Sequence, residues 1–320
     1  QHEGVNVGMS AENEVYCMEN DDKIAVLKND LSSLQFGLPV RTEEGNKGDF
    51  GRCVVVGGSA NYVGAPQFAA ESAAEVIALL GEAAMRSGAG TTVLAVPDFL
   101  ASALYPVVHY SAIFPLPSSG GGIAFDRETA LRLSHRATSF AVGMCMADGD
   151  AGSWVRFLLD ETDCRIVLDA DGLKCASGTG GFKGRAVLTP HTGEFAAMMG
   201  LGAEEIKAHS ARLCREYAAE HDCVLVLKGH ESVISDGREV WINSTGNSRL
   251  SKGGSGDVLS GIIGGLLAWN VPPLLAARTG AYVLGRSAEF SRVNALAHLP
   301  DDIMHCIPLA FDELQGVMRL

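Results

Sequence analysis

The 320 residues are 47% apolar and 20% charged, a globular balance with enough length to bury one large core or two smaller ones. The net charge of −13 disfavours non-specific binding to nucleic acid and to anionic membrane surfaces. No apolar run reaches the ~18 residues of a membrane span, and the start lacks the basic-then-apolar pattern of a secretory leader.

Eight cysteines (Cys17, Cys53, Cys145, Cys164, Cys175, Cys214, Cys223 and Cys306) show neither C-x-x-C pairs nor zinc-ligand spacing. Several sit in apolar runs such as Cys53–Val56, so they read as reduced core thiols of a cytoplasmic protein. The first methionine is Met9, so residues 1–8 read as an expression scar, and residues 1–37 are set apart as an N-terminal extension, tag-derived or disordered in part. Residues 38–320 are expected to form a single catalytic domain.

From about residue 50 onward, short β-branched runs alternate with longer helix-compatible segments, the pattern of a mostly parallel sheet covered by helices on both faces. Strands are predicted at 53–57, 92–96, 139–143, 165–169, 186–189, 223–227, 231–235 and 238–242. Covering helices are predicted at 66–87 and 203–221, and a helical C-terminal portion at 256–269 and 273–298. The last two strands, joined through Ser235-Asp-Gly-Arg238, are expected to finish the sheet as an antiparallel hairpin. Ser118–Gly122 reads as a low-complexity loop.

Ligands of such sheets lie beyond the carboxyl ends of the strands, and polar or glycine-rich clusters follow the predicted strands. Gly57-Gly58-Ser59, with Tyr62, Ala65 and Pro66 after it, is either a plain tight turn or a close approach to a ligand. It is not a G-x-G-x-x-G dinucleotide fingerprint. Asp169 and Asp171 either bind a hydroxyl or a magnesium-bound water, or one of them caps the next helix. In Thr189-Pro-His-Thr-Gly-Glu194, His191 could meet a ring or phosphate and Glu194 hydrated magnesium; a Pro-initiated helix with an early Glu accounts for half of the pattern without a ligand. Lys228 ends an apolar strand ahead of Gly229, outside any Walker loop, where it either meets a nucleotide phosphate or is an ordinary surface lysine.

The densest signal is Asn243–Gly261. Gly253, Gly254, Ser255 and Gly256 can turn successive backbone N–H groups toward one point, and the helix that follows adds its positive end. Asp257 stands at the helix entrance, where a carboxylate can take the proton of an attacking hydroxyl; the alternative is a residue that merely caps the helix. Lys252, just before the turn, either assists phosphate binding or is a solvated lysine.

Taken in order, the stretches 47–74, 166–173, 188–200, 224–237 and 243–268 resemble the ADP- or ATP-dependent NAD(P)H-hydrate dehydratase family of the ribokinase-like superfamily. The resemblance implies a ribokinase-like fold and a lyase that phosphorylates the ring hydroxyl of hydrated NADH or NADPH from ADP or ATP, with Mg2+, and then eliminates phosphate. It implies Asp257 as base and the amides of Gly253, Gly254, Ser255 and Gly256 as anion hole. Nucleotide contacts would come from Lys228, Gly229, His230, Glu231, Ser232, Asn243, Thr245, Gly246 and Gly256. Ser59, Tyr62, Ala65, Gly143, Asp171, His191 and Asp257 would face the hydrate, with Glu194 reaching magnesium through water.

The family's glycine-rich loop is replaced here by Gly143-Met-Cys-Met-Ala147, which is expected to place side chains where relatives present bare backbone. The resemblance further implies a homotetramer, small-molecule partners only, and a single activity, the N-terminal segment being too short for an epimerase domain. The competing readings are another small-molecule kinase of the superfamily, acting on a vitamin precursor or sugar, and a non-catalytic nucleotide-binding protein.

Overall fold

The computed structural model describes residues 14–19, 22–35, 37–60, 66–146 and 150–317. Its centre is a sheet built from β3 (Arg52–Val56), β4 (Thr91–Pro97), β5 (Ala112–Leu116), β8 (Ser139–Val142), β9 (Arg165–Leu168), β10 (Ala186–Leu188) and β11 (Val224–Leu227). These seven pair in parallel in the order β11-β10-β9-β8-β3-β4-β5. Between β5 and β8, Ser118–Ser119 (β6) and Gly122–Ile123 (β7) form a small hairpin where the sequence suggests only a loop.

The expected late hairpin is present as β12 (Ser232–Ser235) and β13 (Val240–Asn243), antiparallel to each other, with β12 antiparallel to β11. It does not finish the sheet. Strand β2 (Asp22–Lys28) pairs in parallel with β13, and β1 (Glu14–Glu19) pairs antiparallel with β2, so residues assigned to the extension supply the edge.

The strands read as continuous apolar runs because both faces are covered, with alternate residues going to opposite cores. Val54, Val56, Phe140, Val142, Ile166 and Leu168 face one layer. That layer comprises α4 (Arg127–Ser134), α5 (Ala151–Glu161), a 3-10 segment (Ala170–Gly178), α6 (Thr192–Met199), α7 (Ala203–Ala208) and α8 (Ser210–His221). The helix predicted over 203–221 is thus two, broken at His209, whose backbone (φ −129°, ψ 30°) leaves the helical region.

Val55, Leu94, Ala141, Val167 and Val187 face the other core. The helices here are α2 (Pro66–Arg86), α3 (Asp98–Leu104), α9 (Ser255–Ala268), α10 (Pro273–Phe290) and α11 (Pro300–Leu314), with the short α1 (Leu31–Leu34) at the side. The segment predicted to be helical to 298 ends at Phe290, and Pro300 starts a separate helix at its favoured first position. Helix α9 approaches α2 unusually closely: a Cβ at Gly261 or Gly265 would run into the backbone of Leu80 or Ala84. That contact fixes the axis of the helix whose first turn carries Asp257.

Candidate active site

The glycine run ahead of Asp257 divides in two. Gly254 is the N-cap, at φ 93°, while Ser255 and Gly256 already belong to α9. First-turn N–H groups have no acceptor within their own helix, so they gather at its positive end. A Cβ on Gly253 would meet nothing within 4 Å, so that side of the turn is open. The Ser255 hydroxyl is buried without a partner among the described residues.

Asp257 is not the cap residue, and no side chain caps α9. Its carboxyl is pushed up to about 7, first by burial and second by the negative charge of Asp169, with Lys228 pulling in the opposite direction. Asp169, at the end of β9, is 3% exposed. Its Oδ1 accepts from Ala170 N (2.9 Å) and from Lys228 Nζ (2.8 Å), and its Oδ2 accepts from Ser260 Oγ (2.8 Å). Of the two acidic residues weighed after this strand, Asp169 is the one that caps the following 3-10 segment.

The strand ends are laced together by backbone bonds. Gly143 N donates to Val56 O, Asp169 N to Val142 O, Thr189 N to Leu168 O and Lys228 N to Pro190 O. This brings Gly143, Asp171, His191, Lys228 and Asp257 to one end of the sheet, as the ordering of the clusters predicts.

On one side of Asp257 lies a cavity of about 550 Å³. Lys228, Gly229, His230, Ser232, Asn243, Thr245, Gly246 and Gly256 line it; Glu231 of the same loop does not. Leu259 of α9, with Ala281 and Leu284 of α10, supplies an apolar wall that sequence reasoning did not assign. Asn243 is largely consumed in structure: its Oδ1 accepts from Asn29 Nδ2 (3.0 Å), and its Nδ2 donates to Thr245 Oγ1 (3.0 Å). Lys252 Nζ donates to the Leu296 carbonyl (3.2 Å) and does not line the cavity.

On the other side, Tyr62 and Ala65 lie outside the described residues. Ser59 is fully buried, its hydroxyl unpartnered among the described residues. Met144 and Met146 do not crowd the cleft, because one enters each core. Cys145, at φ 55°, faces Asp257 and Asp171, and burial raises its thiol to about 12. Asp171 Oδ1 accepts from Lys174 Nζ at 2.6 Å.

His191 Nδ1 accepts from the Gly193 and Glu194 amides (3.0 and 3.2 Å), which puts the ring proton on Nε2. Glu194 Oε2 accepts in return from His191 N (2.8 Å), a reciprocal cap. Glu194 Oε2 is also 3.9 Å from Lys228 Nζ. Asp169, read from sequence only as a ligand of a hydroxyl or magnesium-bound water or as a cap, is the partner of Lys228, and Ser260 has no reading from sequence at all. The Asp257-x-x-Ser260 spacing, one helical turn, is the signal that could have found the second.

A family profile described as NAD(P)H-hydrate dehydratase matches residues 53–309. The ADP-dependent (S)-NAD(P)H-hydrate dehydratase of Neisseria meningitidis is 33% identical over 80% of this chain and 82% of its own length. The bifunctional NAD(P)H-hydrate repair enzyme Nnr of Moorella thermoacetica is 34% identical over 87% of the chain, which spans only 52% of that relative. The ADP/ATP-dependent NAD(P)H-hydrate dehydratase of Bacillus subtilis, co-crystallised with ATP and Mg2+, superposes with a TM-score of 0.76 at 27% identity. The superposition covers 91% of this chain and 99% of that one, and the shared fold is ribokinase-like.

Proposed function

The chain belongs to the NAD(P)H-hydrate dehydratase family, and from that premise we propose that it uses an adenine nucleotide to restore NADH or NADPH from their hydrates. The observation that carries the reading is the placement of Asp257, a half-buried carboxyl with raised proton affinity, at the open first turn of α9 beside the 550 Å³ cavity.

In this reading the nucleotide occupies the cavity, with Lys228 near its phosphates and the apolar wall of Leu259, Ala281 and Leu284 against its base. The hydrate sits on the Gly143, Asp171 and His191 side. Asp257 takes the proton of the ring hydroxyl as its oxygen attacks the terminal phosphorus, and the shortened nucleotide leaves. The first-turn amides of α9 hold the phosphoryl in transit and then the departing phosphate. The ring nitrogen's lone pair expels that phosphate, and loss of the neighbouring carbon-bound proton restores the double bond. Nucleotide, hydrate and products balance as one phosphoanhydride cleaved and one water's elements removed.

Among the described residues no three His, Cys, Asp or Glu side chains converge as a metal cage. Glu194 is engaged in the His191 cap and Asp169 with Lys228. This donor set does not fit a protein-held Mg2+; the ion would enter on the nucleotide phosphates, with Glu194 limited to a water-mediated contact.

No helix of the described residues is long and apolar enough to cross a membrane. The thiols of Cys53, Cys145, Cys164, Cys175, Cys223 and Cys306 are free, which supports the cytoplasmic expectation. A homo-oligomer belongs to the same proposal. The test is hydrated NADH or NADPH offered with ADP or ATP and Mg2+: regained dihydronicotinamide absorbance with stoichiometric phosphate is expected. A stable phosphorylated product from an alcohol substrate, with none from the hydrate, would favour the kinase reading.

A further inference from the structure

Asp169 accepts from three donors belonging to three parts of the fold: the Ala170 amide, the Lys228 ammonium after β11 and the Ser260 hydroxyl on α9. A methyl group placed on Gly256 would stand 3.4 Å from Lys228 Nζ and 3.7 Å from Asp169 Oδ2. The ion pair therefore lies directly against the first turn of α9, at the boundary between the cavity and Asp257. We propose that Asp169 is a positioning residue for phosphoryl transfer: it anchors the Lys228 ammonium and the Ser260 hydroxyl against that turn and keeps a fixed negative charge beside Asp257. The inference rests on the reading of Asp257 as the base.

Two physical consequences follow from the arrangement. Lys228 has a flexible four-carbon stem, and the 2.8 Å contact with a carboxylate whose side chain is 5% exposed holds its charge at the cavity's inner end. The Ser260–Asp169 bond ties α9, one turn after Asp257, to the end of β9, so the helix N-terminus stays aimed at the cleft. A buried ion pair is in general no better for stability than a well-packed apolar substitute, which leaves placement of charge as the reason to have one here. Among the described residues, the other charged or titratable groups facing Asp257 are Lys228 and the thiol of Cys145; Asp171 and Glu194 stand behind them.

The experiment compares wild type, Asp169→Asn, Ser260→Ala and Asp257→Asn in hydrate turnover across pH, with the thermal midpoint of each measured in parallel. Asp169→Asn removes a negative charge near Asp257, so the acid limb of kcat should move down by about one pH unit. Its plateau kcat should fall about ten-fold with the weaker base, while nucleotide KM changes less than about three-fold. A folded Asp169→Asn protein with a lower midpoint but a wild-type kcat profile overturns the proposal, since a merely structural role predicts that result. Should Asp169→Asn not fold, Ser260→Ala decides: roughly five-fold lower kcat at unchanged KM supports the proposal, and unchanged kcat overturns it. Full activity in Asp257→Asn overturns the base assignment and this inference with it, whereas loss at 257 with no effect at 169 or 260 overturns the inference alone.

Discussion

Gly143 and Asp169 meet backbone to backbone: a Cβ on Gly143 would overlap the carbonyl oxygen of Asp169 and press on Gly172. Gly143 is also at φ 119°, outside the range an L side chain adopts comfortably. The two strand ends that carry the cleft are thus in contact with no side chain between them.

Gly143→Ala accordingly combines overlap with backbone strain, together roughly 2–4 kcal/mol. The thermal midpoint should drop by roughly 3–6 °C, and kcat should fall because Asp169 is displaced. An unchanged midpoint contradicts the contact.

The raised proton affinity of Asp257 gives stability a definite pH sign. Its folded-state value of about 7 lies above the ordinary carboxylate range, so the native state binds the extra proton between about 4 and 7. The contribution of this group is therefore full below about 4 and is lost as pH rises toward 7. Asp257→Asn removes that slope, and denaturant titrations of both proteins across this range should show the variant gaining relative stability as pH increases.

Lys228→Met should act twice. It removes a cation from the cavity, raising nucleotide KM about ten-fold, and it leaves the buried Asp169 carboxylate without its ion partner, a loss of about 3 kcal/mol. Adding Asp169→Asn should recover much of the stability but not the KM. Equal KM for wild type and Lys228→Met would place the phosphates elsewhere.

Gly285 on α10 lies under the cavity-lining loop that carries Thr245, where a Cβ would overlap Thr245. Gly285→Ala should push that loop into the cavity and raise nucleotide KM by about ten-fold or more, with a smaller change in kcat. Initial rates measured against nucleotide concentration for the variant and wild type read both constants.

The layered architecture and the collection of polar clusters at one sheet end were legible because parallel strands buried on both faces carry unbroken apolar runs. Strand β5, with Pro115 and partly exposed residues at the sheet edge, lacks that signature. Strands β1 and β2 carry no such signature, because pairing of β2 with β13, about 200 residues later, leaves no local pattern in the chain. At the site, Gly253–Asp257 stood out through local chain chemistry. The roles of Asp169 as charge partner and of Met144 and Met146 as core residues depend on which way each side chain turns, which the strand-end sequence leaves open.

The most direct test of the account is single-turnover reaction of hydrated NADH with nucleotide and Mg2+, wild type against Asp257→Asn. The account predicts restored dihydronicotinamide and one phosphate per hydrate for wild type, with a rate at least about 10²-fold lower for the variant at similar nucleotide affinity. Comparable rates for the two proteins would contradict it.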